Sequence, residues 1–242
     1  MIRAILFDFN GVIADDETPH VLCFQQALAE EGLLLTKDEY YGAYLGMDER
    51  TCAKMLIAAR DGIFDDRLLQ RIMNRKADLF HANTTANKPT LFPGVVEFVK
   101  AAMPTYRLAI VSGGRREQID AVLAGTLIEQ DFELIISAED CPIGKPDPAI
   151  YRLTCERLNA VGATSRTITS AQCLVIEDSL AGIRSAKAAG MRVLALATTY
   201  PIDKLGEADA VLPSLHDIAP DRAIGMMAQI GQESRLPATQ PQ

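Results

Sequence analysis

Six short apolar runs recur along the chain: Ile2–Phe7, Leu108–Val111, Leu134–Ser137, Cys173–Ile176, Val193–Ala197 and Ala210–Leu212. Most are apolar on both alternating faces. A strand with one face in water alternates polar and apolar residues, whereas a strand apolar on both faces needs a helical layer on each side. Helical periodicity fills the stretches between them. The pattern predicts an α/β fold, with a Rossmann-like, mostly parallel sheet at its core.

One stretch breaks the alternation. From about Ala14 to Asn87 there is almost no strand signal. Phe24, Ala27, Leu28 and Leu35 recur near helical spacing, as do Met55, Leu56 and Ala59, and then Leu68, Leu69, Ile72 and Met73. Pro89, Pro93 and Gly94 punctuate its end. The expectation is a discontinuous core of residues 1–14 and 93–222, with an inserted α-helical cap domain at 15–92. The polar segment 231–242 has little to pack and is expected to fray. A net charge of −8 argues against nucleic acid or an anionic membrane as the main partner, but not against a small phosphorylated metabolite held in a local cationic pocket. Five cysteines, Cys23, Cys52, Cys141, Cys155 and Cys173, form no CxxC pair and read as free thiols. The opening residues carry Arg3, Asp8 and Asn10, too many polar groups for a signal peptide, so a cytoplasmic location is expected.

In open parallel sheets, ligands bind beyond the carboxyl ends of the strands. The first strand delivers Asp8, Asn10 and Gly11 there, the second Ser112 and Gly113, and the fourth Glu177 and Asp178. A loop before a predicted helix adds Lys145. Asp8 is a nucleophile or a metal ligand by type, and Asp178 with Glu177 offers the hard oxygen donors that magnesium prefers. Ser112 and the amides around Gly11 and Gly113 can hold phosphate oxygens, while Lys145 neutralises phosphate and nucleophile. Positioning and charge stabilisation of this kind are what phosphoryl transfer needs.

The motifs DFNGV, VSGG, GKPDP and EDSLAGI, in that order, resemble the four signatures of the haloacid dehalogenase superfamily. The helical insertion after the first motif is similar to the cap of its β-phosphoglucomutase-like and phosphoglycolate-phosphatase-like branch. The resemblance implies an Mg2+-dependent phosphatase working through an aspartyl-phosphate on Asp8. It implies Mg2+ held by the Asp8 carboxylate, the Asn10 backbone carbonyl and Asp178, with Glu177 in support, and phosphate gripped by Ser112 and Lys145. A sugar phosphomutase and a catalytically impaired phosphate-ligand binding protein are the alternatives.

The chain departs from the family at Asn10, where the usual signature carries a second aspartate that moves protons. An amide cannot trade a proton at neutral pH. General acid–base catalysis contributes about 10²–10⁴-fold, or roughly 3–5 kcal/mol of barrier. Three readings stand open: a substrate with a good leaving group, another proton carrier such as one from the cap, or an impaired site. In the cap, His20 reads equally as a substrate neighbour or a structural histidine, and Arg50 as a contact for a distal anion. Asp15, Asp16 and Glu17 read as a solvated cluster at a helix start.

Overall fold

The computed structural model describes residues 1–44, 49–61, 65–161 and 167–233. Six parallel strands form the sheet: β1 (Ala4–Phe7), β4 (Arg107–Val111), β5 (Leu134–Ile136), β6 (Cys173–Glu177), β7 (Arg192–Leu196) and β8 (Ala210–Leu212). Their order is β5-β4-β1-β6-β7-β8. All six lie where the apolar runs place them, with ends shifted by at most two residues.

Alternation along each strand sends side chains to two separate cores. Ile5, Phe7, Leu108, Ile110, Leu174 and Ile176 face one side, together with helices α5 (Val95–Ala102), α6 (Arg116–Leu123) and α9 (Pro220–Glu233). Ala4, Leu6, Ala109, Val111, Val175 and Val193 face the other, with α7 (Ala149–Ala160) and α8 (Leu180–Ala188). Burial on both faces explains the unbroken apolar runs. Helix α9 carries the chain to Glu233, into the segment from Gly231 that was expected to fray; residues 234–242 lie outside the described ones.

The helical insertion comprises α1 (Glu17–Glu30), the short α2 (Lys37–Glu39), α3 (Glu49–Asp61) and α4 (Asp66–Ala86). Phe24, Leu28, Ile57, Leu69 and Ile72 give it a core of its own. The sequence shows no strand here, yet the two connections into the core pair as a two-residue antiparallel ribbon. In it β2 (Ala14–Asp15) meets β3 (Thr90–Leu91), with Ala14 opposite Leu91. Two residues are too few for a period to be visible in a sequence. Among the described residues, no helix is long and apolar enough to cross a membrane.

Phe7, the residue before Asp8, is held edge-on by Phe98 and Phe132, with ring centroids 6.1 and 5.7 Å away. Phe98 is itself fully buried. Phe98→Ala is therefore expected to cost about 3–5 kcal/mol in denaturant unfolding.

Candidate active site

From β1 the chain goes outward to β4 and β5, then returns to the other side of β1 as β6. The switch point lies between the carboxyl ends of β1 and β6, where a parallel sheet opens a crevice. Asp8 follows β1 directly, its amide donating to the Ile176 carbonyl at 2.9 Å. Glu177 ends β6, and Asp178 comes next.

Lys145 joins these elements. Its Nζ lies 2.6 Å from both Asp8 Oδ1 and Glu177 Oε1, and 3.3 Å from the Val111 carbonyl. Tyr151 donates its hydroxyl to Glu177 Oε1 at 2.9 Å. Glu177 Oε2 accepts from the amides of Asp178 and Ser179 and from the Ser179 hydroxyl, all at 3.0 Å. Glu177 thus engages both oxygens with protein donors and stands behind the site, with Asp8 and Asp178 nearer to any ligand. Burial would push Glu177 up, but the Lys145 charge and these hydrogen bonds hold it below the usual carboxylate range. Lys145 is kept well above its ordinary value by Asp8 and Glu177, against the opposing effect of its own burial.

The remaining carboxylates are strained by charge. Burial pushes Asp8 up to about 7, with Lys145 opposing and Glu177 adding to the rise. Burial and the charges of Glu177 and Asp8 push Asp178 well above the carboxylate range, although Thr199 donates a hydroxyl to its Oδ2. Donor atoms of Asp8, Glu177 and Asp178 all lie within 4.8 Å of one another. Three buried carboxylates against one ammonium leave negative charge unmatched, and an all-oxygen donor set of this kind fits a hard divalent cation such as Mg2+. Two glycines make the packing possible. A Cβ on Gly11, whose φ is +79°, would stand 2.0 Å from Asp178 Oδ2, and one on Gly182 would stand 1.6 Å from Glu177 Oε1.

Ser112, fully buried after β4, accepts the Gly114 amide at 2.9 Å and directs its hydroxyl to Asn10 Oδ1 at 3.4 Å. Gly113, Gly114 and Lys145 line one wall of a cavity of about 440 Å³, while Arg50, Met73 and Lys76 line the cap side. Arg50 is half exposed and 3.7 Å from Asp66, at the rim rather than in the interior. Arg115 also lines this space, whereas Arg116 pairs with Asp120 on the surface. Asp147 orders its loop by accepting the Ala149 amide at 2.8 Å. Of the cap loop from Tyr44 to Arg50, Leu45–Asp48 fall outside the described residues.

Asn10 sits between core and cap. Its Nδ2 donates to Asp16 Oδ2 at 2.8 Å and lies 3.1 Å from His20 Nε2. His20 is buried, with Nδ1 2.6 Å from Lys76 Nζ and its ring 4.0 Å from that of Phe80. Asp16 corrects the sequence reading: it is 1% exposed and belongs to this polar chain, not to a solvated cluster. Asp15 is exposed as expected, and Glu17 accepts the Tyr40 hydroxyl at 2.8 Å. Sequence reasoning also missed Lys76, buried at 1% exposure. Its signal was a lysine on the stripe Leu69, Ile72, Lys76, Phe80, where helical spacing demands apolar residues.

A catalytic centre of this layout, carboxylates and a lysine at the switch point of a parallel sheet beneath a helical insertion, defines a class of hydrolases. The chain matches the family of haloacid dehalogenase-like hydrolases over residues 2–190 and belongs to it. It is 30% identical to the protein CbbY of Rhodobacter capsulatus, over 88% of this chain and 94% of that one. It is 29% identical to a phosphorylated carbohydrates phosphatase of Thermotoga maritima, over 78% of this chain and 82% of that protein. An aspartate-to-asparagine mutant of CbbY from Rhodobacter sphaeroides, solved with xylulose-1,5-bisphosphate, superposes with a TM-score of 0.74 at 26% identity. That match covers 92% of this chain and 99% of the other.

The contrast between two glycines tests the buried network. Gly182→Ala forces Glu177 off Lys145 and is expected to cost about 3–5 kcal/mol, the typical penalty for breaking a buried ion pair. Gly206→Ala, with open space around its would-be Cβ, should stay within about 0.5 kcal/mol. Thermal and denaturant unfolding of the two variants check the difference.

Proposed function

We propose that this hydrolase is a phosphatase acting on a small phosphorylated sugar, with Asp8 as nucleophile. The observation that carries the reading is the Lys145 ammonium shared by Asp8 and Glu177 beside Asp178, at the edge of a cavity lined by Arg50, Lys76 and Arg115. In the first step an Asp8 carboxylate oxygen attacks phosphorus, and the bond from phosphorus to the sugar oxygen breaks. In the second step water attacks the same phosphorus, releasing phosphate and restoring Asp8. Lys145 keeps Asp8 oriented and offsets charge that builds on the phosphoryl oxygens. The Ser112 hydroxyl and the amides near Gly11 and Gly113 are the donors for those oxygens. A magnesium ion held by Asp8, Asp178 and the Asn10 carbonyl would supply further charge stabilisation.

The names of the relatives support the substrate class: one is called a phosphatase of phosphorylated carbohydrates, and a CbbY mutant holds a sugar bisphosphate. A cavity of about 440 Å³ is of the usual size for a small ligand. Its cationic lining suits a substrate with a second anionic group. The division into a core of 1–14 and 93–222 and a cap of 15–92 belongs to this reading, with cap closure excluding water from the phosphoryl group. Free cysteines support a reducing, cytoplasmic setting.

A panel of p-nitrophenyl phosphate, acetyl phosphate and sugar mono- and bisphosphates, assayed with Mg2+, tests the proposal. Asp8→Asn is expected to lower every rate by about 10⁴-fold or more, and chelation of Mg2+ should abolish turnover. Unchanged rates in Asp8→Asn would remove the nucleophile assignment. Binding of sugar phosphates without any turnover would favour the phosphate-binding alternative.

A further inference from the structure

Asp16 opens α1, at the place where an aspartate ordinarily caps a helix by accepting its second or third amide. Its side chain makes no such bond. Two groups converge instead on Oδ2: Asn10 Nδ2 donates at 2.8 Å, and His20 Nε2 lies 3.3 Å away. The other ring nitrogen of His20 faces the cap. The Lys76 ammonium, 2.6 Å from Nδ1, can only donate. The ring thus has a donor on each side, Lys76 Nζ at Nδ1 and Asn10 Nδ2 at 3.1 Å from Nε2, with Nε2 also beside Asp16 Oδ2. The second carboxylate oxygen, Oδ1, is buried and has no hydrogen-bond partner. An acceptor buried without a donor is costly, and a helix cap would have been an ordinary remedy. The carboxylate is held by one oxygen so that the other stays free.

Asn10 links this carboxylate to the phosphate side, since its Nδ2 is on Asp16 and its Oδ1 faces the Ser112 hydroxyl. Asp16 is thus joined through a single amide to Ser112, one of the donors for the phosphate oxygens. We propose that Asp16 is the general acid–base of this enzyme, performing from the start of the cap the proton transfer that Asn10 cannot. The assignment rests on the hydrolase reading above. With the Asn10 amide on Oδ2 and no partner on Oδ1, the transferred proton rides on Oδ1. As Asp8 bonds to phosphorus and the sugar oxygen departs, Oδ1 gives its proton to that oxygen, leaving an alcohol and an Asp16 carboxylate. When water then attacks phospho-Asp8, its proton returns to Oδ1, phosphate leaves, and both aspartates regain their starting states.

The test compares the protein with Asp16→Asn and with the exchange variant Asn10→Asp/Asp16→Asn. Single-turnover rates are measured on a sugar phosphate, whose leaving oxygen needs a proton, and on p-nitrophenyl phosphate, whose leaving group needs little. Loading of Asp8 by acetyl phosphate, followed by mass spectrometry, shows that each variant is folded and times the decay of phospho-Asp8. Asp16→Asn is expected to slow the sugar phosphate and the decay by about 10²–10⁴-fold, with a loss at least ten-fold smaller in the step that releases p-nitrophenol. The exchange variant keeps one carboxylate and one amide on the same hydrogen bond, so it remains testable even where Asp16→Asn fails to fold. It should recover at least ten-fold of the sugar phosphate rate. Equal losses on both substrates, no loss at all, or an exchange variant that loads Asp8 yet stays as slow as Asp16→Asn would each overturn the assignment. Failure of the underlying reading looks different: the unmodified protein would not load Asp8, and Asp8→Asn would hydrolyse as before, taking the Asp16 role down with it.

Discussion

Everything at the centre of this protein depends on one buried ammonium. Lys145 reaches the switch point from a loop and is 2.6 Å from two carboxylates that end different strands. Without it, Asp8, Glu177 and Asp178 would concentrate negative charge in a space that water hardly enters, and their mutual repulsion would work against the packing of β1 on β6. With it, the charge is only partly balanced. That incomplete balance makes the site receptive: it leaves room for a metal cation, and the cationic cavity beside it leaves room for a phosphoryl group. The same residues are poor candidates for stabilising the fold as such, because a buried ion pair often does no better than an apolar replacement.

Much of this arrangement was legible in the sequence because it follows from local patterns. Strands apolar on both faces announce a sheet covered on two sides, and once the sheet is parallel its ligand edge is known. Asp8, Ser112, Lys145 and Asp178 could then be placed at one edge from their position after a strand or before a helix. Less legible was anything that depends on how the cap meets the core. The β2–β3 ribbon is too short to show a period, and its pairing spans about the whole insertion. Asp16 read as a helix-start acid because that is the usual fate of an aspartate there. Only the packing of α1 and α4 around Asn10 reveals that its carboxylate turns inward. Lys76 carried a sharper clue, a charge on an apolar stripe, but the stripe alone does not say what the ammonium meets.

Local rules tend to fail where function is located, and here several fail together within a few ångströms. An aspartate at a helix start does not cap, a lysine occupies a core position, and an asparagine lies two residues after Asp8, where the resemblance implies an acid. Each departure taken alone reads as a defect. Taken together they are consistent with one another: the amide at position 10 can donate to Asp16, which an aspartate in ionised form could not do without placing two carboxylates in contact. The histidine beside them has Lys76 at its far ring nitrogen, so the contact continues from Asn10 and Asp16 to α4. The buried polar chain therefore acts as one unit that leaves a single carboxylate oxygen of Asp16 without a partner.

That coupling bears on how the cap controls the chemistry. Asn10 belongs to the loop after β1, Asp16 and His20 to the start of α1, and Lys76 to α4, so the chain of contacts runs from core to cap across the short ribbon that joins them. If the cap swings away, Lys76 and Asp16 no longer hold their places relative to Ser112 and Asp8, and proton transfer is lost while the nucleophile and its lysine remain intact in the core. An enzyme built this way would still accept a phosphoryl group from a good leaving group, whereas a poor leaving oxygen would wait for the proton that comes with the cap. An acid at the start of the insertion, instead of beside the nucleophile, would make closure a condition for turning over a substrate with a poor leaving group.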